Sequence, residues 1–150
     1  MLSAKLVQLI ESHWREVAAR LIQAVRNSQE MSHLAKKPDL ELREWCQNIL
    51  ENLGYYIATH KVEEVKGRYR TFGRMRFEEN VPLSEAVLRL QILKEKIIGF
   101  VREQGFPMTA VQLYADQEFN QRVGRFFDAM VYHVVCGYED QMRRALRRAS

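Results

Sequence analysis

Cysteine, proline and glycine are all scarce in this chain. Its 150 residues contain two cysteines, three prolines and seven glycines. Cys46 and Cys136 lie far apart in apolar helical surroundings, so we predict two buried free thiols instead of a disulfide framework. The same scarcity of cysteine favours a reducing, cytoplasmic location.

The chain also lacks a long apolar run. No stretch approaches the roughly 18 residues that a membrane-spanning helix requires. The N-terminal sequence MLSAKLVQLIESHWREV carries charges inside an apolar pattern, which predicts an amphipathic helix and not a signal peptide.

The formal net charge of +4 is mild and does not by itself imply a nucleic-acid partner. The length is typical of one domain, so we treat residues 1–150 as a single unit.

Apolar residues recur at three- and four-residue steps along most of the chain, which is typical of helices and not of strands. Short polar joints divide the pattern into about five helices, so the predicted fold class is an all-α compact bundle. A non-haem relative of the globin fold fits the same pattern. The predicted helices are Ser3–Gln29, Leu40–His60, Val62–Glu79, Leu83–Gln104 and Ala110 to near the C-terminus, with Ser3 as an N-cap and Thr109 with Gln112 as a capping box.

Two kinds of irregular position stand out inside this pattern. Gly54, Gly67 and Gly73 each weaken a helix by roughly 1 kcal/mol relative to alanine, which indicates close helix–helix approach. The segment Asn80-Val81-Pro82-Leu83 is the one sharp corner between two well-patterned helices. We predict that Asn80 ends the incoming helix in a left-handed conformation and that Pro82 stands in the first turn of the next.

No catalytic signature is present in the sequence. It contains no phosphate-binding loop and no nucleophile motif, and its histidines do not stand at metal-ligand spacing beside a carboxylate. The predicted helix Leu83–Gln104, where a globin would carry its proximal ligand, contains no histidine, cysteine or tyrosine. His60 and His133 are the only candidate axial ligands of a haem-binding alternative. We therefore predict no enzyme, no metal and no cofactor.

Lys66, Arg70 and Arg74 form a row at four-residue spacing on one helix face. We interpret this row as a solvated or ion-paired surface. A basic face that binds a protein, an anion or a nucleic acid is the alternative, and the absence of a helix-turn-helix pattern argues against nucleic acid.

The C-terminal sequence YEDQMRRALRRAS continues the last helix, with Tyr138, Met142 and Leu146 on one stripe. Such a stripe suits a dimer seam, or a connector that leads into an output domain. We predict a homodimer and a protein partner or output domain, with the basic residues favourably placed at the helix C-terminus.

Three segments carry a resemblance to a known family. They are Leu40–Leu53 (LELREWCQNILENL), Phe72–Glu85 (FGRMRFEENVPLSE) and Phe126–Tyr138 (FFDAMVYHVVCGY). With these segments the chain resembles the N-terminal sensor domain of the stressosome co-antagonist type (RsbRD-like), which also precedes histidine kinases and other outputs in bacteria.

The resemblance implies a ligand- or stress-sensing regulatory module, with a dimeric, haem-free, globin-like fold in related sensors. It implies structural roles only: Arg74 and Arg76 would anchor the corner, Pro82 would start a helix, and Asp128 and Tyr138 would orient the last helix. It supplies no ligand that maps to residues of this chain. The function we expect is therefore a non-catalytic sensory domain that transmits a signal through its last helix. A haem-binding sensor and a basic helical nucleic-acid- or protein-binding module are the alternatives.

Overall fold

The computed structural model describes residues 2–59, 61–104 and 110–150, apart from the side chains of residues 2–4, 62, 111, 112 and 115. These residues form six α-helices and two short 3-10 helices, with no strand among them, so the predicted all-α fold class is confirmed. The α-helices are α1 (Leu2–Ser12), α2 (Trp14–Asn27), α3 (Asp39–Thr59), α4 (Val62–Glu78), α5 (Leu83–Glu103) and α6 (Ala110–Ala149). The predicted capping box of Thr109 and Gln112 lies outside the described residues. No described helix combines the length and the hydropathy that crossing a membrane requires.

The predicted first helix is in fact two helices, divided at His13. The backbone at His13 departs from helical values, with φ −117° and ψ 26°, and its Nδ1 lies 2.9 Å from the carbonyl oxygen of Leu9. Ile10 before the break and Val17 after it are both buried, so the apolar pattern continues across the break. Periodicity alone therefore gave no sign of it. The N-cap prediction for Ser3 is also wrong, because α1 already begins at Leu2.

The segment between α2 and α3 carries the two 3-10 helices, Gln29–Met31 and Leu34–Lys36, and is fixed from two sides. Arg26 donates hydrogen bonds to the carbonyl oxygens of Ala35 and Lys37 and pairs with Asp39 at 2.5 Å. On the inner side, Glu85 Oε1 accepts hydrogen bonds from the backbone N–H groups of His33 and Leu34, at 3.0 and 2.9 Å. This segment is therefore held in a defined position against the bundle.

The corner between α4 and α5 follows the sequence prediction at Asn80, which has φ 59° and is the one non-glycine residue with positive φ in the described chain. Pro82 precedes α5 as its N-cap, one position before the predicted place in the first turn. Val81 is fully buried, and its carbonyl oxygen accepts a hydrogen bond from Tyr138 Oη at 2.9 Å. The tyrosine ring also packs edge-on against Phe77, with centroids 5.3 Å apart. The last helix therefore braces the corner.

Helices α4 and α6 approach each other so closely that two glycines are required. A Cβ at Gly73 would lie against the backbone of Val134 and 2.8 Å from the nitrogen of Tyr138. A Cβ at Gly137 would meet the backbone of Arg70 in the same way. The predicted close approach is confirmed at Gly73 and wrong at Gly67, where the space around a Cβ is open. The two backbones are in direct contact, which couples the positions of α4 and α6.

Candidate functional site

Among the described residues, three polar or charged side chains are buried in the core: Asn52, Glu85 and Arg89. Asn52 donates to the carbonyl oxygen of Asn48 at 2.8 Å and accepts from Arg68 at 2.9 Å. Glu85 accepts two backbone hydrogen bonds. Arg89 has no such partner: it makes no hydrogen bond with a described residue, and its Nε is buried without one. A buried charge without a counter-ion is costly, so Arg89 marks the most unusual position in the fold.

The Arg89 side chain lies over the indole of Trp45. Its Cζ is 3.9 Å from the ring centroid, which is a close cation–π contact. Helix α5 supplies Arg89 and helix α3 supplies Trp45, and Arg89 is only 3% exposed. Glu85 stands one turn before Arg89 but makes no ion pair with it. Its Oε1 instead accepts hydrogen bonds from the backbone N–H groups of His33 and Leu34. The guanidinium thus packs against an aromatic face and not against a carboxylate of the described residues.

Arg89 and Trp45 line a cleft of about 480 Å³ between α3, α4 and α5. That volume lies within the range of small-molecule sites. Of the twelve residues that line it, six are charged, five are apolar and one carries an amide. The lining comprises Leu34, Lys37, Glu41, Leu42, Glu44, Trp45, Asn48, Phe72, Met75, Arg76, Glu79 and Arg89. We call this the Arg89 cleft.

Two of the three cations of the Arg89 cleft already have acidic partners. Arg76 Nη2 donates to Glu79 at 3.4 Å, and Lys37 Nζ lies 4.0 Å from Glu41. Burial, followed by the positive charge of Arg76, lowers the pKa of Arg89 to about 9. The guanidinium therefore keeps its charge at neutral pH. No carboxylate of the described residues lies within 4.0 Å of the guanidinium, although the charges of Glu79 and Glu85 act against the lowering of its pKa.

Cys46 lies beside this site but offers no nucleophile. The thiol is buried and free, and burial raises its pKa to about 12 although the nearby Arg89 opposes the shift. A thiol with so high a pKa stays protonated at neutral pH and is unreactive. Cys136 is free as well and half-buried, so both thiols are free as predicted. In the described part of the chain, no three histidine, cysteine or acidic side chains come together as a metal site.

No protein-family model, no curated protein and no solved structure matches this chain. The resemblance to stressosome sensor domains accordingly stays a prediction. The features that bear on function are the geometry of the Arg89 cleft and the packing of α4 against α6.

The predicted basic face of α4 is ion-paired. Lys66 binds Glu63 at 2.9 Å, Arg70 binds Asp140 at 2.8 Å, and Arg74 lies 3.9 Å from the same aspartate. Two of these three contacts reach across to α6. The row therefore joins two helices of the bundle, in line with the ion-paired interpretation.

The residues predicted to organise the corner occupy different places. Arg76 pairs with Glu79 at the end of α4 and also lines the Arg89 cleft. Arg74 lies further from the corner and faces Asp140, while its Nε is buried without a partner. Tyr138 is bonded to the corner itself, at Val81. Asp128 is exposed on α6 and makes no ion pair with a described residue.

The remaining predicted residues lie away from the cleft. His60 lies outside the described residues. His133 is half-buried on α6, its ring is 5.1 Å from that of Tyr132, and burial together with Lys66 and Arg70 lowers its pKa. Met142 and Leu146 are exposed on the distal part of α6, Leu146 by 65%.

Sequence reasoning missed Arg89, Trp45 and Glu85 as functional candidates. A usable signal existed for Arg89, because it falls three residues after Ala86 and four before Leu93, on the inward stripe of α5. An arginine at an inward position of an otherwise apolar stripe needs a partner. The spacing did not indicate that the indole of Trp45 would contact the guanidinium or that the guanidinium would line a cleft.

Proposed function

We propose that this chain is a non-catalytic sensory domain in which occupancy of the Arg89 cleft changes the packing of α4 against α6, and α6 passes the change to a protein partner or output domain. The observation that carries the proposal is that one helix, α4, belongs to both places. Phe72 and Arg76 of α4 line the cleft, while Gly73 between them is in backbone contact with α6. A displacement of α4 by a ligand must therefore be accommodated at Val134 or Tyr138.

The helix–helix contact has the features of an element with discrete arrangements. Interdigitated backbones at Gly73 and Gly137 resist gradual sliding, since packed interfaces move between defined states. Around this contact, Arg70 and Arg74 share one carboxylate, Asp140, at 2.8 and 3.9 Å. A small shift of α4 along α6 would exchange the closer arginine for the other. Both arginines lie within ion-pair distance of this carboxylate, so such a shift keeps an ion pair between α4 and α6.

The proposal includes a homodimer formed by the distal part of α6. Met142 and Leu146 stand one turn apart and are both exposed, next to Arg143 and Arg144. Apolar side chains at four-residue spacing suit a helix–helix seam with a second copy of the chain. Light scattering of the purified chain should give twice the monomer mass, and the double substitution of Met142 and Leu146 by glutamate should give the monomer mass.

Hydrogen–deuterium exchange on a cleft-filling variant tests the coupling without any ligand. Asn48→Trp places a large ring in the Arg89 cleft from α3. The matched control is Glu51→Trp, on the same helix but facing a separate cleft of about 350 Å³ lined by Glu11 and Trp14. We expect Asn48→Trp to change exchange rates in residues 130–141 of α6 by roughly fivefold or more, the lower end of common coupling free energies. Unchanged exchange in that segment would overturn the proposal.

A further inference from the structure

Arg89 is the one cation of the Arg89 cleft that has no acidic partner among the described residues. Lys37 and Arg76 stand near Glu41 and Glu79, whereas Arg89 has no carboxylate within 4.0 Å among the described residues. Glu44 is a third acid, exposed, that also lines the cleft. The lining has three cations and three carboxylates in all, so Arg89 lacks an anion in direct contact and not a balancing charge in the cleft. A ligand that completes the site brings an anionic group into contact with Arg89 and, because three carboxylates already line the cleft, carries no more than one negative charge.

The chemistry of the cleft also indicates what carries that charge. A guanidinium presents parallel N–H donors that match the two oxygens of a carboxylate. Phe72, Met75 and Leu42 provide an apolar wall in the same cleft, and Met75 is accessible at 40% exposure. A multiply charged anion such as phosphate would meet repulsion from Glu44 and Glu79, and it would leave the apolar wall unused. The lining thus favours an anion of one charge with an apolar body.

We propose that the Arg89 cleft binds a small organic monocarboxylate, with its carboxylate accepting hydrogen bonds from Arg89 and its apolar body lying against Phe72 and Met75. This inference rests on the proposed function only in taking the Arg89 cleft as the sensing site. Trp45 has a positioning role, because its ring supports the guanidinium at 3.9 Å. The site combines a buried specific cation with an open apolar wall, as ligand pockets commonly do.

Trp45 makes the binding directly measurable. The chain has two tryptophans, so the Trp14→Phe variant leaves Trp45 as the single indole reporter, in contact with Arg89. The variant is titrated with 4-phenylbutyrate, with the uncharged 4-phenylbutyramide, and with inorganic phosphate. We expect a saturable fluorescence change with 4-phenylbutyrate and binding roughly tenfold or more weaker for the amide and for phosphate, because the amide lacks the charge that pairs with Arg89 and phosphate lacks the apolar body.

Substitution of the arginine tests its role. In the Trp14→Phe background, Arg89→Met should weaken 4-phenylbutyrate binding by roughly tenfold or more. Arg102→Met, an exposed arginine on the same helix, is the matched control and should bind normally. Circular dichroism checks folding, and Arg89→Lys provides a second variant that keeps the charge and loses the paired donors. It should bind several times more weakly than the parent.

Each contrary outcome overturns the inference. Equal binding of acid and amide would make the cleft a simple apolar groove, and equal binding of phosphate would make it a general anion site. Absence of any response to 4-phenylbutyrate, 4-phenylbutyramide and phosphate at concentrations on the order of 10 mM would remove the site altogether. These results are separate from the exchange experiment on Asn48→Trp, which can succeed when carboxylate binding fails and can fail when it succeeds.

Discussion

The guanidinium of Arg89 lies on the indole of Trp45, with 3.9 Å between Cζ and the ring centroid. A desolvated cation–π contact contributes about 2 kcal/mol. Removing a guanidinium from water costs several kcal/mol when no anion receives it. The contact with Trp45 therefore offsets only part of the cost, and Arg89 is better explained by binding than by stability.

Arg89→Met should consequently leave the chain as stable as the parent or stabilise it by about 1–2 kcal/mol, because an unbranched apolar side chain fills similar space without a desolvation cost. Urea denaturation followed by circular dichroism measures the difference. Arg102→Met, on the exposed face of α5, is expected to change nothing. A loss of more than about 2 kcal/mol in Arg89→Met would instead identify Arg89 as a structural residue.

Gly73→Ala and Gly137→Ala should each destabilise the fold by about 3 kcal/mol or more, because the added methyl meets backbone atoms that have no room to withdraw. Gly67→Ala on α4 and Gly124→Ala on α6 are matched controls with open space around the new methyl. Those two should stabilise by about 0.5–1 kcal/mol, the usual effect of replacing a helical glycine. Equal behaviour of the two pairs in thermal denaturation would refute the close contact of α4 and α6.

Tyr138→Phe should cost about 1 kcal/mol, because it removes the hydrogen bond to Val81 and keeps the ring against Phe77. Tyr114→Phe is the control, since Tyr114 is on the same helix and largely exposed. Denaturant midpoints of the two variants give the comparison. If both variants matched the parent, the brace between α6 and the corner would make no net contribution to stability.

The ion pairs at Asp140 give the stability a defined pH dependence. The hydrogen bond from Arg70, with the charges of Arg70, Arg74 and Arg143, holds the pKa of Asp140 below its ordinary value of 3.8. A lowered folded-state pKa stabilises the fold above the unfolded-state value, and that stabilisation is lost as pH falls through the folded-state pKa. Asp140→Asn should therefore be less stable than the parent at neutral pH. The difference in their free energies of unfolding should disappear at pH values below the ordinary pKa range of carboxyl groups.

Urea denaturation midpoints of Asp140→Asn and of the parent, measured from neutral to strongly acidic pH, give this difference in stability. Asp128→Asn is the control, because Asp128 is exposed on the same helix without an ion pair to a described residue. It should track the parent at every pH. A gap for Asp140→Asn that persisted unchanged into strong acid would show that the ion pairs are not its origin.

Local signals in the sequence were sufficient for much of this fold. Asn80 and Pro82 marked the corner because left-handed backbone and proline each have few permitted places in a helix. The apolar pattern did not indicate the break at His13, because Ile10 and Val17 keep the helical spacing across it and are both buried. The sequence also did not predict that Gly137 is required, because the requirement comes from the short distance to the backbone of α4.

The Arg89 cleft depends on tertiary contacts that no local pattern encodes. Arg89 contacts Trp45, from which it is separated by 44 positions in the sequence. Glu85 accepts a hydrogen bond from the backbone of His33, 52 positions away. An arginine on an apolar stripe shows that something unusual is near, but its partner and the shape of the space are set by the packing of three helices. The sequence therefore predicted the helices better than the site between them.

The most direct test of the account is the effect of a bound carboxylate on α6. Hydrogen–deuterium exchange of residues 130–141 is measured with and without saturating 4-phenylbutyrate, in the parent chain and in Arg89→Met. We predict a change in exchange in the parent that is absent in Arg89→Met. Binding reported by Trp45 fluorescence, with exchange in α6 unaltered, would contradict the coupling between the Arg89 cleft and the last helix.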